Sequence, residues 1–179
     1  MKLDREFFEK STIIVAKELL GKVIVHKFQN REIRARILET EAYIGEEDQA
    51  CHARFGKTAR NSIMYGQAGH AYIYLCYGIH ELLNIVTEEK DKPAAVLIRK
   101  IEPLTGPDSK LKSYGPGNLT RYLKITRALN GEDLIKSEKL WIENNGFKVK
   151  QSQIKSAERI GVSYAGKWTK KKWRFFLTE

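Results

Sequence analysis

The chain has only two cysteines, Cys51 and Cys76, and they are not at Cys-x-x-Cys spacing. This number argues against a disulfide framework or a zinc knuckle, and it is typical of a reduced, intracellular setting. No apolar run is long enough to cross a bilayer. Residues 1–6 also lack the apolar segment of a signal peptide. We therefore expect a cytoplasmic protein without a membrane partner.

Signatures of several common enzyme classes are missing as well. There is no Gly-x-Ser-x-Gly elbow, Walker loop or dinucleotide fingerprint. The zinc-deaminase pattern is absent, and His26, His70 and His80 lie at spacings that fit no metal site. His52, next to Cys51, is better interpreted as a hydrogen-bonding or stacking group. We expect no metal and no cofactor.

Positive charge, in contrast, is abundant. The chain has 32 Lys and Arg against 22 Asp and Glu, which gives a formal charge of +10 and a pI near 9.5. This balance favours a polyanionic partner through neutralisation of phosphates, although a protein can also be basic without binding nucleic acid. A run of lysines at 170–172, between Trp168 and Trp173, is either a solvated face or a contact with phosphates.

The distribution of β-formers indicates the fold class. The patterns predict helices over residues 12–20 and 119–125, and strands over 22–28, 33–43, 71–77, 82–87, 94–101, 140–143, 159–162 and 174–177. Residues 45–69 are polar and glycine-containing, which is typical of a long functional loop with short helical turns. Because the helices are not interleaved between the strands, we expect one α+β domain over residues 1–179 with a mostly antiparallel sheet.

Two carboxylates, Glu39 and Glu41, lie in the strand predicted over residues 33–43. Strict alternation places both on the apolar face of that strand, whereas a β-bulge would reverse the parity. A carboxylate on such a face needs a partner. It is either a general base that activates water or one half of an ion pair at the sheet rim, for example with Arg99. The residues alone do not separate these alternatives.

Three tyrosines, Tyr72, Tyr74 and Tyr77, follow in the next predicted strand. Aromatic residues at alternating strand positions usually pack against neighbours. Tyr77 differs because it precedes Gly78 at the expected tip of a hairpin, where packing is a poor explanation. A ring in that position could act as a wedge inserted into a base stack.

A series of motifs runs in order through most of the chain. It comprises residues 5–22, Glu39-Thr40-Glu41-Ala42-Tyr43, His52, Arg60-Asn61, Met64, residues 72–78, Asn84, Arg99, Glu102-Pro103-Leu104, Gly115-Pro116 with Leu119, and Arg159-Ile160-Gly161-Val162. This ordered series resembles the alkyladenine (3-methyladenine) DNA glycosylase family, whose members excise alkylated purines.

The resemblance implies a role for each matching residue. Glu41 corresponds to the general base, and Arg99 to the arginine that helps place the attacking water. Tyr77 corresponds to the residue that intercalates where the target nucleotide was. The other assignments are contact with the flipped base by Tyr43, His52, Tyr74 and Asn84, with Asn84 excluding normal guanine. Separately from the resemblance, the positive charge of the chain predicts DNA binding by Arg60, Lys170, Lys171 and Lys172.

The resemblance also implies a fold and a reaction. The fold is a curved sheet flanked by helices, similar to the C-terminal domain of methionyl-tRNA formyltransferase. The reaction is that of a monofunctional, monomeric base excision repair enzyme on duplex DNA. It flips out 3-methyladenine or 7-methylguanine, with hypoxanthine and ethenoadenine as further candidates, and hydrolyses the N-glycosidic bond to leave an abasic site.

The chain departs from the family pattern in places. These are Ala59, Glu81, Leu82 and Ser163-Tyr164, and residues 130–157 match poorly. We expect these differences to alter substrate preference and DNA contacts. The alternative function is a non-catalytic nucleic-acid-binding module of similar fold. A metal-dependent nuclease would require carboxylate clusters that the sequence does not contain.

Overall fold

An antiparallel sheet of eight strands organises the computed structural model, which describes residues 1–106 and 113–178. The sheet is curled into a half-barrel, with strand order β3-β4-β5-β2-β1-β6, and β8 joins β2 to β7. The strands are β1 Val23–Phe28, β2 Arg31–Ile44, β3 Ala71–Cys76, β4 His80–Val86, β5 Ala94–Pro103, β6 Leu140–Glu143, β7 Ile154–Ala157 and β8 Arg174–Leu177. The predicted α+β class is confirmed.

Strand β2 is the longest and carries the bend of the sheet. Its first half pairs with β1 and its second half with β8, while β5 runs along most of its other edge. The register with β5 shifts between Ile37 and Thr40. Such a bulge inserts an extra residue and bends the strand, so it allows β2 to change partners along one edge.

The bulge also reverses the parity of the side chains. Ile37 packs into the main core before the bulge, and Ala42 packs into the same core after it. Thr40 donates from Oγ1 to the carbonyl of Ala16 at 2.7 Å. Glu39 and Glu41 therefore lie on the opposite face of the strand. The expectation from strict alternation is wrong, and the bulge that we considered as the alternative is present.

Three helices pack against the sheet in the described part of the chain: α1 Arg5–Glu9, α2 Thr12–Glu18 and α3 Pro116–Leu123. Helix α2 is shorter than predicted. Helix α3 begins three residues earlier than predicted because Pro116 occupies its first turn, where a missing N–H has no cost. No helix in this part of the chain is long and apolar enough to cross a membrane.

The main core lies between the helices and one face of the sheet. Phe8, Val15 and Leu19 are fully buried there against strand residues such as Ile24 and Ile98. Burial of each such side chain contributes about 1.5–3 kcal/mol. This packing supports the strands from behind and leaves the other face of β2 to form a cavity.

Most of the other predicted elements are confirmed with small shifts in their bounds, and residues 45–69 form the expected loop with short 3₁₀ turns at His52–Phe55 and Ser62–Tyr65. The strand predicted over residues 159–162 is wrong. That segment is irregular, because Arg159 turns inward and Gly161 has a φ of +75°. The nearby strand is β7, at residues 154–157. The single domain over residues 1–179 stays a prediction.

Candidate active site

A cavity of about 680 Å³ opens on the face of the sheet that carries Glu41. This volume is within the range typical of small-molecule sites. Strands β2 to β5, the loop over residues 45–69, the start of α3 and residues 160–164 form its walls. Seven of the predicted site residues line it, namely Tyr43, His52, Arg60, Tyr74, Tyr77, Asn84 and Arg99.

Glu41 is fully buried and does not itself line this cavity, but it contacts three residues that do. We call the layer of buried charged residues behind this part of the lining the floor. Its Oε2 accepts a hydrogen bond from the Tyr43 hydroxyl at 2.7 Å, and its Oε1 accepts one from the Ile160 amide at 2.9 Å. The guanidinium of Arg99 approaches Oε1 through Nη1 at 3.6 Å. Because Tyr43, Ile160 and Arg99 all line the cavity, the carboxylate is held next to the space that a ligand would occupy.

Opposing effects set the protonation of Glu41. Burial raises the pKa of this carboxyl above its ordinary value, since a charged group loses its hydration there. Arg99 and the two hydrogen bonds act in the opposite direction, because they stabilise the carboxylate. The net direction is upward, and a carboxyl with a raised pKa is a better proton acceptor.

Glu39 has a different environment from Glu41, although only one residue separates them. Its Oε1 accepts from Arg174 Nη1 at 3.1 Å and lies 3.5 Å from Arg99 Nε. Two arginines therefore neutralise Glu39 at the edge of the site. The geometry separates the two carboxylates, since Glu39 fits the ion-pair alternative and Glu41 is buried against three residues that line the cavity.

A buried ion pair next to Glu41 was not among the predicted site residues. Arg159 and Asp48 are both fully buried, and they form two hydrogen bonds of 2.6 and 2.8 Å. Arg159 also donates to the carbonyls of Ala42 and Trp168. The pair thereby fixes the residue that precedes Ile160, whose amide donates to Glu41.

The sequence marks only one residue of this pair. Arg159 belongs to the Arg-Ile-Gly-Val motif, whose pattern predicts a strand and does not indicate a buried charge. Asp48 lies 111 residues away in the polar loop, where nothing distinguishes it from the neighbouring acids Glu46 and Glu47. Only the tertiary structure therefore identifies Asp48 as the partner of Arg159.

The ring of Tyr43 connects the ion pair to the catalytic candidate. The guanidinium of Arg159 lies 4.8 Å from the ring centroid, and the hydroxyl donates to Glu41. Burial and the neighbouring carboxylate raise the pKa of Tyr43 well above its ordinary value. Tyr43 therefore stays protonated and remains a donor at every physiological pH.

His52, Tyr72 and Tyr74 form a cluster of rings in the cavity wall. His52 Nδ1 and the Tyr72 hydroxyl are 2.8 Å apart, and the ring centroids of His52 and Tyr74 are 4.5 Å apart in an edge-to-face arrangement. Burial, with smaller effects of Arg60 and Arg54, lowers the pKa of His52 to about 4. The imidazole is therefore neutral at pH 7, and the wall is aromatic and uncharged.

Asn84 is buried in β4, opposite Tyr72 in the strand pairing. Its Nδ2 donates to the carbonyl of Tyr72 at 3.2 Å. This bond fixes the side-chain amide at the cavity wall, because turning it away would leave a buried group without its partner.

Tyr77 lies at the tip of the β3–β4 hairpin and is 88% exposed. Tyr77 and Gly78 have φ values of +51° and +70°, and the Ile79 amide closes the turn on the Cys76 carbonyl at 3.2 Å. A residue with a side chain in this left-handed region loses about 1–2 kcal/mol. A strained, exposed aromatic ring at the mouth of a cavity indicates a function.

The predicted DNA-binding residues occupy two places. Arg60 is at the cavity rim, with its guanidinium 5.3 Å from the Tyr74 ring centroid. The lysines lie on the surface and do not line the cavity: Lys170 is 3.5 Å from Glu158, Lys171 lies over Trp168 and Trp173, and Lys172 is exposed. The structure does not bring these lysines together with the catalytic candidates, and their contact with DNA stays a prediction.

Potential metal ligands do not cluster in the described ranges 1–106 and 113–178. No group of three or more His, Cys, Asp or Glu residues there is arranged to hold a metal ion. Cys51, next to His52, is fully buried, and burial raises the pKa of its thiol to about 12. It is therefore a packing residue and not a thiolate nucleophile.

Comparison with known proteins gives a consistent result. A sequence model of the methylpurine-DNA glycosylase family matches residues 6–179. A relative from Methanocella arvoryzae is 48% identical over 185 residues, with 97% of this chain and 91% of the relative covered. A relative from Anaeromyxobacter is 47% identical over 178 residues, with 99% and 89% covered. One from Natranaerobius thermophilus is 38% identical over 192 residues, with 100% and 96% covered.

All three relatives carry the name "Putative 3-methyladenine DNA glycosylase". The match extends over nearly the whole chain and includes the residues around the cavity. The resemblance inferred from the order of the motifs is therefore confirmed. The chain belongs to the methylpurine-DNA glycosylase family, a group of hydrolases that act on N-glycosyl bonds.

Proposed function

We propose that this protein excises alkylated purines, including 3-methyladenine and 7-methylguanine, from duplex DNA by hydrolysis of the N-glycosidic bond. The observation that carries the proposal is the buried Glu41 carboxylate, which contacts Arg99, Tyr43 and Ile160 in the lining of an aromatic cavity. The family match and the names of the relatives support the same reaction. We further propose that the enzyme acts as a monomer.

The target base must leave the duplex to reach Glu41. The bond to be cleaved lies inside the base stack, so the nucleotide is flipped into the cavity at a cost of a few kcal/mol. Tyr77, at the exposed tip of its hairpin, fills the vacated space and keeps the stack open. Arg60 at the rim and the lysines at 170–172 neutralise phosphates around the lesion.

The cavity wall favours an electron-poor base. His52 and the tyrosines Tyr43 and Tyr74 present uncharged π faces, because the pKa of His52 is lowered to about 4 and the tyrosines stay protonated. Aromatic faces attract a cation, and a purine alkylated on a ring nitrogen is cationic. Such a base is also a good leaving group, so its excision requires less help than that of a normal base.

Asn84 supplies selection against guanine. Its amide is fixed by the Tyr72 carbonyl, so it cannot move aside for an extra exocyclic group. A purine that carries a 2-amino group then meets the amide in the wall. We propose that this contact disfavours every guanine base and leaves adenine derivatives unaffected. 7-Methylguanine is still excised because its cationic base leaves readily, whereas unmodified guanine lacks that advantage.

The chemical step uses Glu41 and one water molecule. The water oxygen attacks the anomeric carbon, the bond from that carbon to the base nitrogen breaks, and the electron pair leaves with the base. Glu41 accepts the proton of the water, and its negative charge stabilises the oxocarbenium-like transition state. Arg99 keeps the carboxylate in its ionised form and orients it. The products are a free base and an abasic site.

No step of this reaction uses a lysine. We therefore propose a monofunctional enzyme that leaves the DNA strand intact. Strand breaks that appear without alkali or an added lyase would contradict this part of the proposal.

The direct test is a panel of duplexes, each with one defined lesion: 7-methylguanine, 3-methyladenine, hypoxanthine or ethenoadenine. Free base released under single-turnover conditions is quantified by mass spectrometry, with Glu41→Gln as the matched inactive control. We expect release from at least the alkylated purines. Tight DNA binding without release from any duplex would favour the non-catalytic binding module.

A further inference from the structure

An exposed aromatic pair lies beside the cavity and has no part in the reaction described above. Phe55 is 80% exposed and Tyr164 is 60% exposed. Tyr164 lines the cavity, whereas Phe55 lies outside it, at the end of the 3₁₀ turn that begins with His52. Single exposed apolar residues are ordinary, but a group of them at a cavity mouth marks an interaction site.

Arg54 connects the two rings. Its guanidinium carbon lies 4.6 Å from the Phe55 ring centroid and 5.1 Å from that of Tyr164. Nη1 donates to the Cys51 carbonyl at 3.1 Å, and the Tyr164 hydroxyl donates to the Ala50 carbonyl at 3.4 Å. We call these three side chains, Phe55, Arg54 and Tyr164, the rim stack. Its cation is held in place before any ligand arrives, and a guanidinium carries five N–H donors, of which the bond to Cys51 uses one.

The chemistry of the rim stack fits a nucleotide. Exposed rings stack on bases of any sequence, and a fixed guanidinium binds phosphate with several N–H donors. Two more cations, Lys57 and Arg60, follow in the same loop and are exposed. This positive charge argues against an apolar peptide as the ligand. A nucleic acid is favoured over an acidic peptide because the cavity next to the rim stack is the proposed site for a flipped nucleotide.

We propose that the rim stack binds an unstacked base of the DNA strand next to the flipped nucleotide, with the base on Phe55 and its phosphate on Arg54. The proposal rests on the proposed function for the position of the lesion. The proposal goes beyond that function because it assigns a second nucleotide subsite. It follows that the protein binds single-stranded DNA, whose bases need no unstacking from a complement, through this same surface.

The test is binding of a lesion-free single strand that contains one 2-aminopurine, measured by anisotropy and by quenching of the 2-aminopurine fluorescence. Phe55→Ala removes a side chain that is 80% exposed, so the fold is retained. We expect Kd to rise about tenfold, which corresponds to 1.4 kcal/mol, within the range for one stacked base. The quenching that reports stacking is lost together with affinity.

Two variants control for this result. Phe147→Ala removes another partly exposed phenylalanine that lies on an arginine, since Arg36 is 4.3 Å from its ring centroid, and we expect less than a twofold change. Phe55→Trp keeps a stacking face and restores both affinity and quenching. Equal losses in Phe55→Ala and Phe147→Ala, or unchanged quenching in Phe55→Ala, would overturn the proposal.

The outcome is separable from that of the proposed function. The single strand carries no lesion, so its binding does not depend on excision. Release of base from the lesion duplexes by the wild-type protein is scored independently. If the protein releases base but the 2-aminopurine test fails, only the proposal for the rim stack is refuted. If the test succeeds but no base is released, only the proposed reaction is refuted.

Discussion

The floor of the cavity and the tip of the β3–β4 hairpin are built in opposite ways. On the floor, Glu41, Asp48 and Arg159 are fully buried, and each charge has a partner of opposite charge. At the tip, Tyr77 is 88% exposed and held in a strained backbone conformation. The floor is suited to holding the Glu41 carboxylate in a fixed position, whereas the Tyr77 ring gains its contacts only when a ligand covers it.

The difference separates chemistry from binding. Buried charges depend strongly on one another because the local dielectric constant is low. A change on the floor therefore affects the rate of bond cleavage or the stability of the fold. A change at the tip removes a ring that contacts little in the free protein, so it affects binding of the damaged duplex.

The largest effect is expected at Glu41, and the nearby carboxylate Glu39 provides the matched control. Glu41→Gln keeps the shape of the side chain but removes the proton acceptor, so excision under single-turnover conditions should fall by roughly 100- to 10,000-fold. Glu39→Gln changes a group that is neutralised by Arg99 and Arg174, and its loss should be much smaller. Equal losses in the two variants would remove the distinction between them.

The second prediction concerns the buried ion pair. Asp48→Asn leaves Arg159 charged and without its partner, which should destabilise the protein by about 3–5 kcal/mol. Urea denaturation measures this change. The double variant Asp48→Asn with Arg159→Met removes the charge as well, and it should recover part of the stability. A stable Asp48→Asn single variant would mean that the pair is unimportant for the fold of the floor.

The third prediction concerns the hairpin tip. Tyr77→Asn removes the ring and introduces a residue that tolerates a positive φ, so the fold should be at least as stable as the wild type. Affinity for a lesion duplex should fall about tenfold while affinity for undamaged duplex changes little, as electrophoretic mobility shifts would show. Parallel losses on both duplexes would argue against intercalation.

The smallest effect is a shift in the pH profile. Glu41 must be ionised to act, so activity is lost as the pH falls through its pKa, which burial places above the ordinary value. Arg99 lowers that pKa, so Arg99→Met should move the acidic limb of the single-turnover profile to higher pH. A limb that moves to lower pH, or one that also moves in Glu39→Gln by the same amount, would contradict this assignment.

The tip could be largely predicted from the sequence, and the floor only in part. A tyrosine before a glycine between two strand patterns already predicts an exposed ring at a turn. The position of Glu41 depends on the bulge between Ile37 and Thr40, which no residue pattern marks. The Asp48–Arg159 pair depends on a contact across 111 residues, and a local pattern contains no information on such a distance.

Catalysis and binding are separated by comparing three proteins on one lesion duplex at saturating enzyme: wild type, Glu41→Gln and Tyr77→Asn. The measured quantity is the rate of free base release from duplex that binding assays show to be fully occupied. We predict that Tyr77→Asn recovers most of the wild-type rate once it is bound, whereas Glu41→Gln remains bound and releases almost no base. Release by Glu41→Gln at a rate near that of the wild type would show that this buried carboxylate does not activate the water.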